Sequence, residues 1–164
     1  MEQVQAIAEF VGQRAGELGV SVGVAESLTG GLVVQALARS KGSSAWLRGG
    51  IVAYDRHVKQ HLLEVDTISV VSEQAALSMA AGARKALGAD VTVALTGAGG
   101  PDGQEGQPPG TVWVATDDGA HARAEVHHFD GDPAAVCEQA RAAALCALLG
   151  RLADDRRPVE HVGG

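Results

Sequence analysis

The stretch from Val20 to Lys59 limits what this chain can fold into more than any other. It opens with Val20–Val24, a short apolar run of the kind that sits inside a sheet covered on both faces. The run breaks at Ala25-Glu26-Ser27-Leu28-Thr29-Gly30-Gly31, and Leu32, Val33, Ala36 and Leu37 then return at helical spacing. Ser27 to Gly31 therefore reads as a strand-to-helix turn, with backbone N–H groups and the positive end of a helix dipole available to an anionic ligand. Beyond that helix, which runs through Arg39, come the loop Lys41-Gly42-Ser43-Ser44, one helical turn at Ala45-Trp46-Leu47, and a second buried strand, Gly49–Tyr54. Tyr54 leads directly into a helix carrying His57, Lys59, Leu62 and Leu63.

The flanking sequence completes an α/β pattern. An amphipathic helix over Val4, Ile7, Ala8, Val11 and Leu18 is ended by Gly19. Ser72 is a natural N-cap for an alanine-rich helix to Leu87, and Asp90–Leu95 is a third buried strand. That strand runs into the glycine-rich loop Thr96-Gly97-Ala98-Gly99-Gly100-Pro101-Asp102-Gly103, which continues to Gly110. Thr111–Thr116 and Ala122–Phe129 read as strands joined through Asp117-Asp118-Gly119, a hairpin signal. Asp132 caps a last helix with Val136, Ala140, Ala144, Leu145, Leu148 and Leu149 on its apolar face. Strands alternating with helices, plus one late hairpin, predict a three-layer α/β/α sandwich with a mixed, mostly parallel sheet. Residues 1–153 form its single domain, and the polar stretch 154–164 is expected to be a disordered tail.

Composition excludes several classes of function. No apolar run approaches the ~20 residues needed to cross a bilayer, and the N-terminus lacks the basic start and apolar block of a signal peptide. A net charge of -7 argues against nucleic acid as a direct partner, since phosphate binding needs clustered Lys and Arg. Cys137 and Cys146 fall in one predicted helix, where they suit packing in a reducing cytoplasm rather than a disulfide framework or a metal knuckle. The expectation is a cytoplasmic protein with no membrane partner.

In sheets of this kind ligands bind at the carboxyl ends of the strands. Ser27–Gly31, Tyr54–Lys59 and Thr96–Gly103 should converge there, and Gly42–Ser44 is a possible fourth wall. The six histidines are scattered, so no Ser-His-Asp set is evident. A lysine can replace histidine as a base where burial lowers its pKa toward neutrality. Lys59, one turn into a helix after a buried strand, is the candidate, and with Ser44 as nucleophile it would make a Ser–Lys dyad suited to attack on an amide. Each residue also has an ordinary structural reading. Ser44 is a cap type for the turn at Trp46, Lys59 a surface lysine, Tyr54 a core aromatic with a wet hydroxyl, and Ser27 and Thr29 common N-cap residues. His57 and His61 have metal-pair spacing but no third ligand at a sensible distance in sequence.

The motifs carry more together than singly. Ala25–Gly31, Gly42-Ser43-Ser44, Tyr54 with Lys59, Val71-Ser72-Glu73, Thr96–Gly103 and Pro109-Gly110-Thr111-Val112 occur in that order. The series resembles the CinA C-terminal domain family, from about Val4 to Leu149. The resemblance implies an α/β/α fold, a homodimer or higher homo-oligomer, and hydrolysis of nicotinamide mononucleotide to nicotinic acid mononucleotide and ammonia, with no metal or cofactor. It implies Ser44 as nucleophile, Lys59 as base and Tyr54 as an aid to proton transfer, with Ser27 and Thr29 lining the site. Gly30, Gly31, Thr96, Gly97 and Gly100 are expected to help bind the substrate, with the turn at Gly30–Gly31 or the loop Gly99–Gly103 offering N–H groups to its phosphate.

The chain departs from the family pattern where arginines are common. It has Gly131-Asp132-Pro133 in place of a Gly-Asp-Arg segment, and Cys137 after Val136 in place of a second arginine. Leu28 replaces a cysteine, Ala98-Gly99 an Ile-Ala pair, and Asp55-Arg56 a small polar pair. Arg141, one turn on, and Arg56 are the substitute cations for a phosphate. Three readings follow: a nucleotide amidase, a relative acting on another amide, and a non-catalytic nucleotide- or protein-binding module linked to competence or DNA damage. Ser44, Tyr54 and Lys59 together favour an enzyme.

Overall fold

The computed structural model describes residues 2–99 and 103–154; Gly100 and the tail residues 155–164 lie outside them. The elements run α1 (Glu2–Leu18), β1 (Val22–Glu26), α2 (Leu32–Ala38), a 3-10 turn at Ser43–Ala45, β2 (Leu47–Val52) and α3 (Arg56–Leu63). They continue with α4 (Glu73–Leu87), β3 (Val91–Gly97), β4 (Thr111–Asp117), β5 (Ala122–His128) and α5 (Pro133–Ala153). The sheet order is β2-β1-β3-β4-β5. β1 pairs in parallel with both β2 and β3, and β3, β4 and β5 pair antiparallel, so β4 alone runs against the rest. The α/β/α sandwich with a mixed sheet is as the sequence predicts.

The layers follow from the pleat. Val22, Val24, Val91, Val93, Leu95, Val112 and Val114 share one core with α1, α2, α5 and Trp46. Their strand neighbours Ala25, Ala94 and Ala115 share another with Leu63 of α3 and the alanine face of α4. Large branched side chains thus fill one side of the sheet and small ones the other, which lets α4 lie close. A Cβ on Gly82 of α4 would come within 2.1 Å of the Leu63 carbonyl oxygen. Thr92 Oγ1 in β3 donates to the Ala80 carbonyl at 2.7 Å, tying sheet to helix inside that thin layer.

Two boundaries differ from expectation. β1 and β2 start and end about two residues away from the apolar runs, because the hydrophobic run marks where the core begins and not where the ladder ends. β2 is also not buried on both faces; it is an edge strand whose residues alternate between half-buried and exposed. The caps are as predicted: Ser72 accepts from the Ala75 N–H at 3.1 Å and Asp132 from the Ala135 N–H at 2.8 Å.

The turn after β1 is built around a buried acid. Glu26, fully buried, closes the strand, and its carboxylate accepts from Thr29 Oγ1 at 2.7 Å and from the N–H groups of Gly31, Val33 and Val34 at 3.3, 2.9 and 3.0 Å. These are the free N–H groups of the first turn of α2, so the protein itself supplies the anion that the helix end favours. Gly30 and Gly31, at φ 60° and 109°, bend the chain into the left-handed region that this return requires. Of the two glycines expected to offer N–H groups to a phosphate, Gly31 donates to Glu26 and Gly30 to the Ser27 carbonyl at 3.1 Å, so both N–H groups have partners within the protein. Glu26→Gln puts an NH2 group against buried donors and should lower stability by roughly 2–4 kcal/mol in urea unfolding. A loss below about 1 kcal/mol would show that the carboxylate is not what holds the turn.

Candidate active site

The carboxyl ends of β2, β1 and β3, three adjacent parallel strands, open into one pocket of about 170 Å³. Ser27 and Leu28 follow β1, Tyr54 follows β2, and Thr96 and Gly97 end β3. Lys59 reaches in from α3, and Pro133 and Cys137 from the start of α5 close the far side. Gly99 and Gln104 belong to the loop after β3. The convergence predicted from the three strand ends is what forms the pocket.

Lys59 is the unusual member. It is only 2% exposed although it sits on a short surface helix, and its Nζ donates to the Tyr54 carbonyl at 3.5 Å. Desolvation lowers its pKa below the ordinary 10.5; the Glu105 and Asp55 carboxylates oppose that shift and the Arg56 guanidinium adds to it. A buried lysine beside a hydroxyl is the setting in which an amine acts as a base. The local fold enforces it. Asp55 caps α3 by accepting from the His57 and Val58 N–H groups at 2.7 and 3.2 Å, which starts the helix close enough to Tyr54 to turn Lys59 inward.

The other polar groups differ in how free they are. Thr96 lines the pocket, but its hydroxyl donates to the Val70 carbonyl at 2.5 Å. Ser27 is 6% exposed, and among the described residues its hydroxyl has no hydrogen-bond partner. The Cys137 thiol donates to the Leu28 carbonyl at 3.3 Å. Burial, helped by the Glu138 charge, pushes that thiol up, which keeps it protonated and a poor nucleophile beside Ser27. Tyr54 is 71% exposed, with its ring toward solvent rather than in the core.

Several expected residues lie elsewhere. Ser44 is in the exposed 3-10 turn before β2, whereas Lys59 follows that strand, so a strand length separates them and they do not meet within the chain. The anticipated Ser44–Lys59 pair is not formed within one chain, because the two flank opposite ends of one extended strand. Thr29 and Gly31 donate to Glu26, Gly30 donates to the Ser27 carbonyl, and none of the three is among the described residues lining the pocket. Arg56 is engaged by the Glu105 carboxylate and the Ile68 carbonyl. Arg141, largely buried, pairs with Glu138, and its buried Nε has no partner among the described residues; it sits one helical turn beyond Cys137, outside the pocket wall. The rings of His57 and His61 approach to 4.0 Å, and among the described residues no group of three or more metal-ligating side chains forms.

Sequence reasoning missed Glu26, Gln104 and Glu105. A carboxylate a few residues ahead of a helix start was the available signal for Glu26. For the other two it was the Glu105-Gly106 pair within a loop read only for its glycines.

A family model described as the CinA C-terminal domain matches residues 4–152. The chain is 38% identical over 155 residues to the nicotinamide-nucleotide amidohydrolase PncC of Pseudomonas putida, covering 91% of this chain and 97% of that one. It is 40% identical over 156 residues to the protein of that name from Escherichia coli K12, covering 89% and 93%. A crystal structure of a competence-damaged protein (CinA) superfamily member from Enterobacter cloacae superposes with a TM-score of 0.88 at 31% identity, covering 91% of this chain and 92% of that one. No helix among the described residues is long and apolar enough to cross a membrane. With a family match across almost its entire length and the same fold in a solved relative, the chain belongs to the CinA C-terminal domain family.

Proposed function

We propose that the protein is an amidase that hydrolyses the carboxamide of nicotinamide mononucleotide, releasing ammonia and nicotinic acid mononucleotide. The observation that carries this reading is a buried lysine of lowered pKa sharing a small pocket with a hydroxyl that has no hydrogen-bond partner among the described residues. Relatives named for that activity align along nearly the whole chain.

Ser27 is the nucleophile in this scheme, and Lys59 its base. Neutral Lys59 takes the Ser27 proton as Oγ bonds to the amide carbon. The electron pair of the C=O bond moves to oxygen, and N–H groups from the pocket wall stabilise it; among the described residues those of Leu28 and Gly99 have no acceptor. Collapse breaks the C–N bond, and the lysine ammonium returns its proton to the leaving nitrogen, so ammonia departs neutral. Water, deprotonated by Lys59, then cleaves the ester, and the proton passes back to Ser27. Lysine supplies both base and acid, so the scheme is complete without a metal. Tyr54 holds Lys59 Nζ through its carbonyl and presents its ring at the pocket mouth. Arg141 is the cation nearest in sequence to the α5 wall, and its unpartnered Nε supports a role with the phosphate.

A homo-oligomer is part of the same proposal. Its support is the apolar surface around α3, where Val58, Leu62 and Ile68 are 36, 50 and 100% exposed. Sedimentation should give a mass above that of one chain.

Ammonia release from nicotinamide mononucleotide tests the scheme. Ser27→Ala should lower kcat by about a thousandfold or more, as loss of a nucleophile does, while Ser44→Ala stays within about threefold of wild type. Loss with Ser44→Ala and retention with Ser27→Ala would move the nucleophile to a second chain. Lys59→Met should abolish turnover and yet stabilise the fold by about 1–3 kcal/mol, raising Tm by a few degrees, because it relieves a buried amine. The unfolded lysine holds its proton up to about 10.5 while the folded one loses it earlier, so the gain should shrink as pH approaches that value. An unchanged or lower Tm at neutral pH would contradict the burial penalty.

A further inference from the structure

The loop after β3, which gives Gln104 to the pocket lining, carries a tight two-residue hairpin. The Gln104 N–H donates to the Gln107 carbonyl at 3.1 Å, and the Gln107 N–H returns the bond at 2.9 Å. The two central residues, Glu105 and Gly106, both have positive φ, 52° and 78°. That is a type I′ turn, whose first central position favours Asn, Asp or Gly. Glutamate there carries strain of order 1 kcal/mol and persists only where its surroundings demand it. Here they do: the Glu105 carboxylate accepts from Ser69 Oγ and from the Val70 N–H, each at 2.7 Å, and pairs with Arg56, whose other amino group donates to the Ile68 carbonyl at 3.2 Å.

This cluster joins three segments. Arg56 stands one turn before Lys59 on α3, Ser69 and Val70 precede α4, and Val70 also receives the Thr96 hydroxyl from the pocket wall. Gln104, the residue before Glu105, lines the pocket. We propose that Glu105 is a positioning residue, which clamps the turn carrying Gln104 onto the pocket and stands as the counter-charge to Lys59. The inference rests on the proposed use of Lys59 as a base.

The charged and titratable groups facing Lys59 are Asp55 and Arg56 from its own helix, Glu105 from the turn, and Tyr54 and Cys137 from the remaining walls. Burial drives the lysine toward its neutral form, and Glu105 is the largest influence pulling the other way. Glu105 itself is held below the usual carboxylate range, against its own desolvation, by the Ser69 and Val70 hydrogen bonds and by Arg56. Its charge therefore remains in place through the range in which Lys59 titrates. Removing that charge must lower the lysine further, and removing Arg56 must raise it.

The chain has three lysines, so the Lys59 side-chain signal can be followed by NMR in protein labelled only at lysine and identified by its loss in Lys59→Met. Glu105→Gln should move the Lys59 midpoint and the acidic limb of kcat/KM to lower pH by half a unit or more. Arg56→Gln should move both to higher pH. Ser69→Ala, which loosens the clamp but keeps the charge, should raise KM severalfold and leave the limb in place. A Lys59 midpoint that stays put in Glu105→Gln, or that shifts the same way in both charge variants, would overturn the proposal whatever the activity. If the midpoints move as stated and wild type releases no ammonia, the amidase reading fails while the role of Glu105 stands.

Discussion

The fully buried carboxylate of Glu26 decides where β1 ends and how α2 begins. By receiving the Thr29 hydroxyl and three backbone N–H groups, it answers the unpaired donors of the helix end from inside the protein. Two consequences follow for the site. Ser27, next along the chain, is left at the strand end with its hydroxyl toward the pocket, and the positive end of α2 is not available to the substrate. In the proposed scheme the phosphate of the nucleotide is met further round the pocket, toward the α5 wall.

The second constraint is the placement of charge. Among the described residues of the pocket wall the one basic side chain is Lys59, and burial lowers its pKa. Nearby, Arg56 pairs with Glu105, and the two act on the lysine in opposite directions. Sites of this kind gain reactivity from a group that the fold would be more stable without, and Lys59 fits that description.

Much of this was legible in the sequence. The alternation of buried strands and helices, the caps at Ser72 and Asp132, the hairpin at Asp117-Asp118-Gly119 and the convergence of three strand ends all follow from local patterns whose physics is short-range. The separation of Ser44 from Lys59 within the chain was not legible, because a loop hydroxyl near a lysine in sequence carries no information about which end of the intervening strand it occupies. Residues 44 and 59 are separated by β2, and strand direction puts them at opposite ends. Glu26 was hidden for the opposite reason: an acid at the end of an apolar run reads as the start of solvent, although here it is a buried ligand of the helix. Glu105 needed tertiary information, since its partners Arg56 and Ser69 lie 49 and 36 residues away.

The central claim is that Ser27 forms the covalent intermediate. Acid quenching of the enzyme during turnover of nicotinamide mononucleotide, followed by peptide mass spectrometry, tests it most directly. The expected result is a nicotinoyl-nucleotide ester on the peptide containing Ser27, absent in Ser27→Ala. An adduct on the peptide containing Ser44, or turnover with Ser27→Ala at the wild-type rate, would contradict it.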